Sequence, residues 1–153
     1  MAEDTPLAGV TVVIPCRDEA QALPGVLTRI PDGYEALVVD NGSTDGTGDV
    51  ARAHGATVVV ETVPGYGSAV DAGVRAATGE IVCTIDGDGS MNPADLVTLV
   101  DEVRRGADLA VGRRRPSHRG VWPLHARIGS ELIARRIRRL HGCLLYTSPS
   151  PRD

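Results

Sequence analysis

IVCTIDGDGSMNPADL, residues 81–96, is an apolar run that ends in two carboxylates. Ile81, Val82, Cys83 and Ile85 give the near-continuous hydrophobic pattern of a strand covered on both faces. Asp86 and Asp88 follow at once, separated only by Gly87. Asn92 and Pro93 then carry the signature of a helix start, and Gly106 would close that helix. A buried strand that gives way to paired negative charge predicts a parallel sheet with chemistry at its strand ends.

The same alternation extends to either side. VTVVIP (10–15), EALVVD (35–40), ATVVVE (56–61) and ADLAVG (107–112) read as further strands. Leu23, Val26, Leu27 and Ile30 stand at helical spacing after CRDE (16–19). In NGSTDGT (41–47), Ser43 or Asp45 would cap a helix running to His54, with Gly55 as its stop. SAVDAGVRAA (68–77) is a small-residue helix, and 124–140 is amphipathic, with Leu124, Ile128, Leu132, Ile133, Ile137 and Leu140 on one side. Strand and helix in alternation predict right-handed crossovers and a Rossmann-like, mostly parallel sheet with helices on both faces. The polar clusters PCRDE, VDNGSTD and DGDGS would then meet at one sheet edge, where such folds bind ligands.

Composition narrows the class. The 153 residues make at most one ordinary domain, 42% hydrophobic, with no apolar run long enough to span a membrane. MAEDTPLAG at the start lacks the apolar stretch of a signal peptide. Cys16, Cys83 and Cys143 fit neither a disulfide framework nor a zinc site, so a reduced, cytoplasmic setting is expected. Residues 1–103 carry 17 acids and 4 arginines, whereas 104–153 carry 12 arginines and 3 acids. The second segment should attract phosphate or an anionic membrane face. Nucleic acid is not the expected partner, because no aromatic platform accompanies the arginines.

Asp86 and Asp88 suit Mg²⁺ or Mn²⁺, which take carboxylate, water and phosphate oxygens. A D-x-D pair alone is far more often a solvated turn; its place after a buried strand, with two other polar strand ends nearby, favours the functional reading. An EF-hand is excluded, since Met91 and Val97 occupy the positions that would need glycine and glutamate. Asp40 either starts a turn or accepts from a nucleobase. Glu19 either favours a helix start or lines a ribose or base pocket. Pro15 has a bland role as no more than a strand stop. GYGSAVDAG (65–73) has Val70 where a dinucleotide loop needs its third glycine, and reads as a loop and tightly packed helix beside the site. Arg113, Arg114 and Arg115 are either a solvated cluster or phosphate ligands.

VVIPCRDE, VVDNGSTDGT, GYGSAVDAG and TIDGDGSMNP, in that order and spacing, make the chain resemble the nucleotide-binding half of family-two glycosyltransferases with the A-type fold. It is most similar to the branch of polyprenyl-phosphate mannose and glucose synthases. The resemblance implies a nucleotide-sugar-binding domain over residues 8–142, incomplete at its C-terminal side. It implies a metal-dependent, inverting transfer from a nucleotide diphosphate sugar to an acceptor such as a polyprenyl phosphate, at or near the inner membrane face. Pro15, Glu19, Asp40, Asn41, Ser43, Gly67 and Gly87 would contact the donor. Asp86 and Asp88 would form the catalytic metal-diphosphate (DXD) motif, and Arg113 and Arg114 would hold phosphate. CRDE and Tyr66 depart from the common pattern, which leaves base and sugar open. A non-catalytic nucleotide-sugar-binding module and a nucleotidyltransferase are the alternatives, the second disfavoured by the absence of lysine. The last residues, CLLYTSPSPRD (143–153), resemble a translated sequencing adapter and are expected to be non-native, with the natural chain continuing past Gly142 and this piece inactive.

Overall fold

A computed structural model of the chain describes residues 9–112. The chain divides into two compact units, Met1–Ala110 and Val111–Asp153, and all the elements below belong to the first. Arg113 to Arg115, the expected helix over 124–140 and the tail at 143–153 lie outside the described residues.

The elements run β1 (Val10–Cys16), α1 (Leu23–Leu27), β2 (Tyr34–Asp40), α2 (Thr47–Ala53), β3 (Thr57–Val60), α3 (Tyr66–Ala76) and β4 (Ile81–Thr84). A 3₁₀ turn at Pro93–Asp95 then leads into α4 (Leu96–Arg104). The strands form one sheet in the order β3-β2-β1-β4, every pair parallel. All carboxyl ends therefore share one edge.

Period-two alternation in β1 divides the core. Val12, Ile14 and Cys16 face a layer containing Leu23, Val26, Ala51 and Leu96, so α1, α2 and α4 cover that side. Val13 faces the other way, with Leu37, Val39 and Ala69 beneath α3. Helices thus cover both faces. Ile14, Leu23 and Val26 are fully buried, each worth roughly 1.5–3 kcal/mol in burial. α3 can approach because Gly73 has no side chain; a Cβ there would collide with Val13 and come within 2.9 Å of Val39.

Several expectations are corrected. β4 is not covered on both faces: Val82 is 38% exposed and only alternate residues turn inward. Among the described residues it lies at one edge of the sheet, with β3 at the other, and α3 packs on β1, β2 and β3 instead. Residues 107–112 form no strand, and Leu109 and Val111 are 78% and 75% exposed. Apolar residues become a strand only by pairing with another, and this segment has no ladder partner among the described residues. α1 stops at Leu27, although tighter turns carry Arg29 and Ile30 onward (Ile30 N to Leu27 O, 3.2 Å). Gly46, not Ser43 or Asp45, is the residue before α2; Asp45 instead accepts from the Thr47 N–H at 3.0 Å. Gly55, with φ of 80°, follows α2 as expected.

Candidate functional site

Pro15 decides where β4 leaves the sheet. The β1 residues that bond β4 are the odd-numbered ones: Ile81 N donates to Gly9 O (3.2 Å) and Ile85 N to Val13 O (3.1 Å). Pro15 is next in that series and has no N–H to continue the ladder. Released there, the chain turns sharply through Asp86, Gly87 and Asp88. Gly87 is buried against β1; a Cβ on it would stand 2.5 Å from Cys16 Sγ and 3.7 Å from Pro15 O. The turn that bears both aspartates is therefore seated on the end of the central strand. Ser90 N donates to Asp88 Oδ1 at 2.9 Å, and Tyr66 OH reaches Asp86 Oδ1 at 3.5 Å.

On the other side of β1, its following loop and that after β2 are joined by five hydrogen bonds. Asp18 N donates to Ser43 Oγ (3.0 Å), while Thr44 N and Oγ1 both donate to Asp18 Oδ1 (2.7 and 3.2 Å). Glu19 N donates to Thr47 Oγ1 (2.9 Å) and Ala20 N to Asp45 Oδ2 (2.9 Å). Asp18 adopts φ of 57°, a left-handed backbone uncommon in a non-glycine residue but more open to aspartate than to most, and this bonding holds it there. Asp40 Oδ1 accepts from Ser43 N (2.9 Å), and its other oxygen would be 2.9 Å from any Cβ at Gly48. Asn41, expected among the donor contacts, has its amide engaged within the protein. It donates to Glu61 O (2.9 Å) and Val63 O (2.7 Å) and accepts from Gly65 N (2.8 Å). Its work is to pin the β3–α3 connection, which brings the first turn of α3, with Tyr66 and Gly67, to the same edge. A Cβ at Gly67 would meet open space.

The rim is acidic. Glu19 is pushed up from the ordinary glutamate value, first by partial burial and then by the charges of Asp88, Asp45, Asp86 and Asp18. Those charges therefore stand near Glu19. Cys16 is pushed up to about 12 by burial, reinforced by Glu19, Asp40, Asp45 and Asp86, so its thiol stays neutral. Asp45 is held down by the Thr47 hydroxyl and the Ala20 N–H. A divalent cation at this edge would offset the repulsion between these carboxylates and an anionic diphosphate. Among the described residues no three acidic, histidine or cysteine side chains converge as a closed metal cage. Two carboxylates on one turn are hard oxygen donors of the kind Mg²⁺ and Mn²⁺ take, and they leave most of the coordination sphere to water and phosphate.

Of the expected residues, the structure brings Pro15, Glu19, Asp40, Ser43, Gly67, Asp86, Gly87 and Asp88 to one edge, and Asn41 behind it. Arg113 and Arg114 lie outside the described residues. Sequence reading missed Asp18, Thr44 and Thr47, whose bonds join two loops 25–28 residues apart. The one available signal was the density of Ser, Thr and Asp in STDGT.

A parallel α/β domain of this kind binds ligands beyond the carboxyl ends of its strands, where this carboxylate pair stands. The chain belongs to glycosyl transferase family 2, whose family model matches residues 11–147. An uncharacterized glycosyltransferase of Mycobacterium tuberculosis is 58% identical over 132 residues, 86% of this chain and 61% of that protein. An undecaprenyl-phosphate 4-deoxy-4-formamido-L-arabinose transferase of Aeromonas hydrophila is 28% identical, over 93% of this chain and 49% of its own. Among solved structures, glucosyl-3-phosphoglycerate synthase of M. tuberculosis in complex with Mn²⁺, uridine diphosphate and phosphoglyceric acid is similar at a TM-score of 0.70. It is 28% identical, over 90% of this chain and 52% of that one. Mannosyl-3-phosphoglycerate synthase of Rubrobacter xylanophilus is similar at 0.68 and 26% identity, over 87% of this chain and 47% of its own. The chain thus spans about half to three-fifths of the length of these relatives, from 47% to 61%. Among the described residues, no helix is long and apolar enough to cross a membrane.

Proposed function

We propose that this chain is the donor-binding part of a divalent-metal-dependent, inverting glycosyltransferase that moves a sugar from a nucleoside diphosphate sugar to a phosphate-bearing acceptor. The observation that carries this reading is the seating of the Asp86–Gly87–Asp88 turn on Cys16, beside Glu19 and Asp40, at the carboxyl edge of the sheet. Asp86 and Asp88 would hold Mg²⁺ or Mn²⁺. Bound there, the ion would neutralise charge accumulating on the departing diphosphate. Pro15, Glu19, Asp40 and Ser43 would line the nucleoside end, kept in register by the bonds that join their two loops. Gly67, with open space around its Cα, would let a phosphate approach the first turn of α3. Arg113 and Arg114 follow in sequence and would add cationic contacts to phosphate.

The nature of the acceptor rests on chemistry shared by the relatives. The Aeromonas transferase is named for a lipid phosphate, and the solved synthases for phosphoglycerate; each acceptor carries a phosphate group. The arginine-rich sequence after residue 112 supplies matching charge. A polyprenyl phosphate would place the enzyme at a membrane surface, and a phosphoglycerate would not.

The test is turnover of nucleotide sugars by the gene product with Mn²⁺ and either a polyprenyl phosphate or 3-phosphoglycerate. Asp88→Asn keeps an oxygen for the Ser90 N–H and should leave the fold intact while lowering turnover at least about a hundredfold. Full turnover by this variant, or by wild type in chelator, would remove the metal role.

A further inference from the structure

We infer that Cys16 is a positioning residue for the metal-binding turn: the small side chain at position 16 sets the seat of Gly87, and through it the placement of the Asp86 and Asp88 carboxylates. This rests on the metal reading above.

Cys16 is the last residue of β1 and is 3% exposed. Asn41 N donates to its carbonyl (3.0 Å), so strand β2 fixes its backbone. Its side chain leaves on the face of Ile14 and meets the neighbouring loop at Gly87, itself buried. The 2.5 Å between Sγ and a Cβ built on Gly87 is closer than real Cβ atoms come, so the two positions share one volume. Sulfur on one side and hydrogen on the other fill it. Ile14 Cγ2, 3.5 Å from the same point, closes the space from beside. Nothing flexible separates this contact from the aspartates, which are Gly87's immediate neighbours in sequence. Interiors packed in this way transmit a volume change as displacement of neighbouring atoms. Here those include the turn in which Gly87 lies, past the point where the β1–β4 ladder ends at Pro15.

The pair is complementary, so it can be tested by exchange of volume. Mn²⁺ binding to the gene product is measured by electron paramagnetic resonance, with and without uridine diphosphate, well below every variant's melting temperature. Gly87→Ala drives a methyl group into Sγ and should weaken Mn²⁺ about tenfold or more, the size seen when supports of metal ligands are disturbed. Cys16→Ala, which leaves a small void, should weaken it by a few-fold, about threefold. The double variant places the new methyl in the vacated space and should recover affinity to within about threefold of wild type. A purely structural role would move melting temperatures and leave Mn²⁺ affinity of the folded protein unchanged.

Two single variants with wild-type affinity, or a double variant no better than Gly87→Ala, would overturn the positioning role alone. If Gly87→Ala does not fold, recovery of folded, Mn²⁺-binding protein in the double variant supports the same contact, and its failure to bind opposes it. A wild-type protein that binds no Mn²⁺ in either condition would overturn the metal reading, and the positioning role with it.

Discussion

Glu19 shows how the rim works at the scale of one residue. Partial burial and the charges of Asp88, Asp45, Asp86 and Asp18 raise its carboxyl above the ordinary range. A raised acid is protonated more readily in the folded state than in the unfolded one. Its stabilising contribution is therefore present in acid and lost as pH rises through the folded value. In chelator, Glu19→Gln should raise the melting temperature near neutral pH by on the order of 1–2 °C, because the site is largely solvated. The difference should shrink as pH falls and Glu19 becomes protonated in both states. A thermal melt series in pH decides it; an increment that grows in acid would reverse the sign. Asp45 is the contrasting case, held below the ordinary range by the Thr47 hydroxyl first, so its support is lost as pH falls. The identities of Asp40, Asp86 and Asp88 were legible in the sequence because each ends an apolar run. The clamping roles of Asp18 and Thr47 were not, since their partners are distant along the chain.

At the scale of elements, β1 organises everything else. It is paired on both sides, and its alternation assigns α3 to one face and the other helices to the opposite one. Gly73 controls how closely α3 approaches. Gly73→Ala would push against Val13 and Val39 and should cost about 1–3 kcal/mol, read as a lowered denaturation midpoint. Because α3 carries Tyr66 and Gly67 to the site edge, uridine diphosphate affinity should fall as well; an unchanged midpoint would mean that α3 shifts freely. Elements whose pattern is local were predicted closely, as with β2, expected over 35–40 and found over Tyr34–Asp40. The expected strand at 107–112 failed because pairing is a property of the neighbour and not of the segment. β4 was read as doubly covered for a related reason: Ile81, Val82, Cys83 and Ile85 are apolar, yet an edge position leaves Val82 38% exposed.

For the whole molecule, charge is the governing quantity. The carboxyl edge gathers Asp18, Glu19, Asp40, Asp45, Asp86 and Asp88, so a diphosphate and a divalent ion should each improve the site for the other. Linkage requires the benefit to be reciprocal: Mn²⁺ should tighten uridine diphosphate by the same factor by which uridine diphosphate tightens Mn²⁺. Paired calorimetric titrations measure both factors. A factor near one would separate the two sites and undo the proposed arrangement. That the strand ends converge was legible from alternation and from parallel-sheet geometry. The seating of Gly87 on Cys16 was not, because no local pattern states which side chain a turn will rest on.

The bonds between Asp18 and the Ser43–Thr44 turn have an evolutionary corollary. Asp18 sits in a backbone conformation that few residues accept, and it keeps that shape through groups 25 and 26 residues away. Neither position is then free to drift by itself. Across homologous chains, loss of the acceptor at 18 should coincide with glycine there or with a changed turn at 43–44, leaving a covariation signature between two segments that carry no catalytic group of their own.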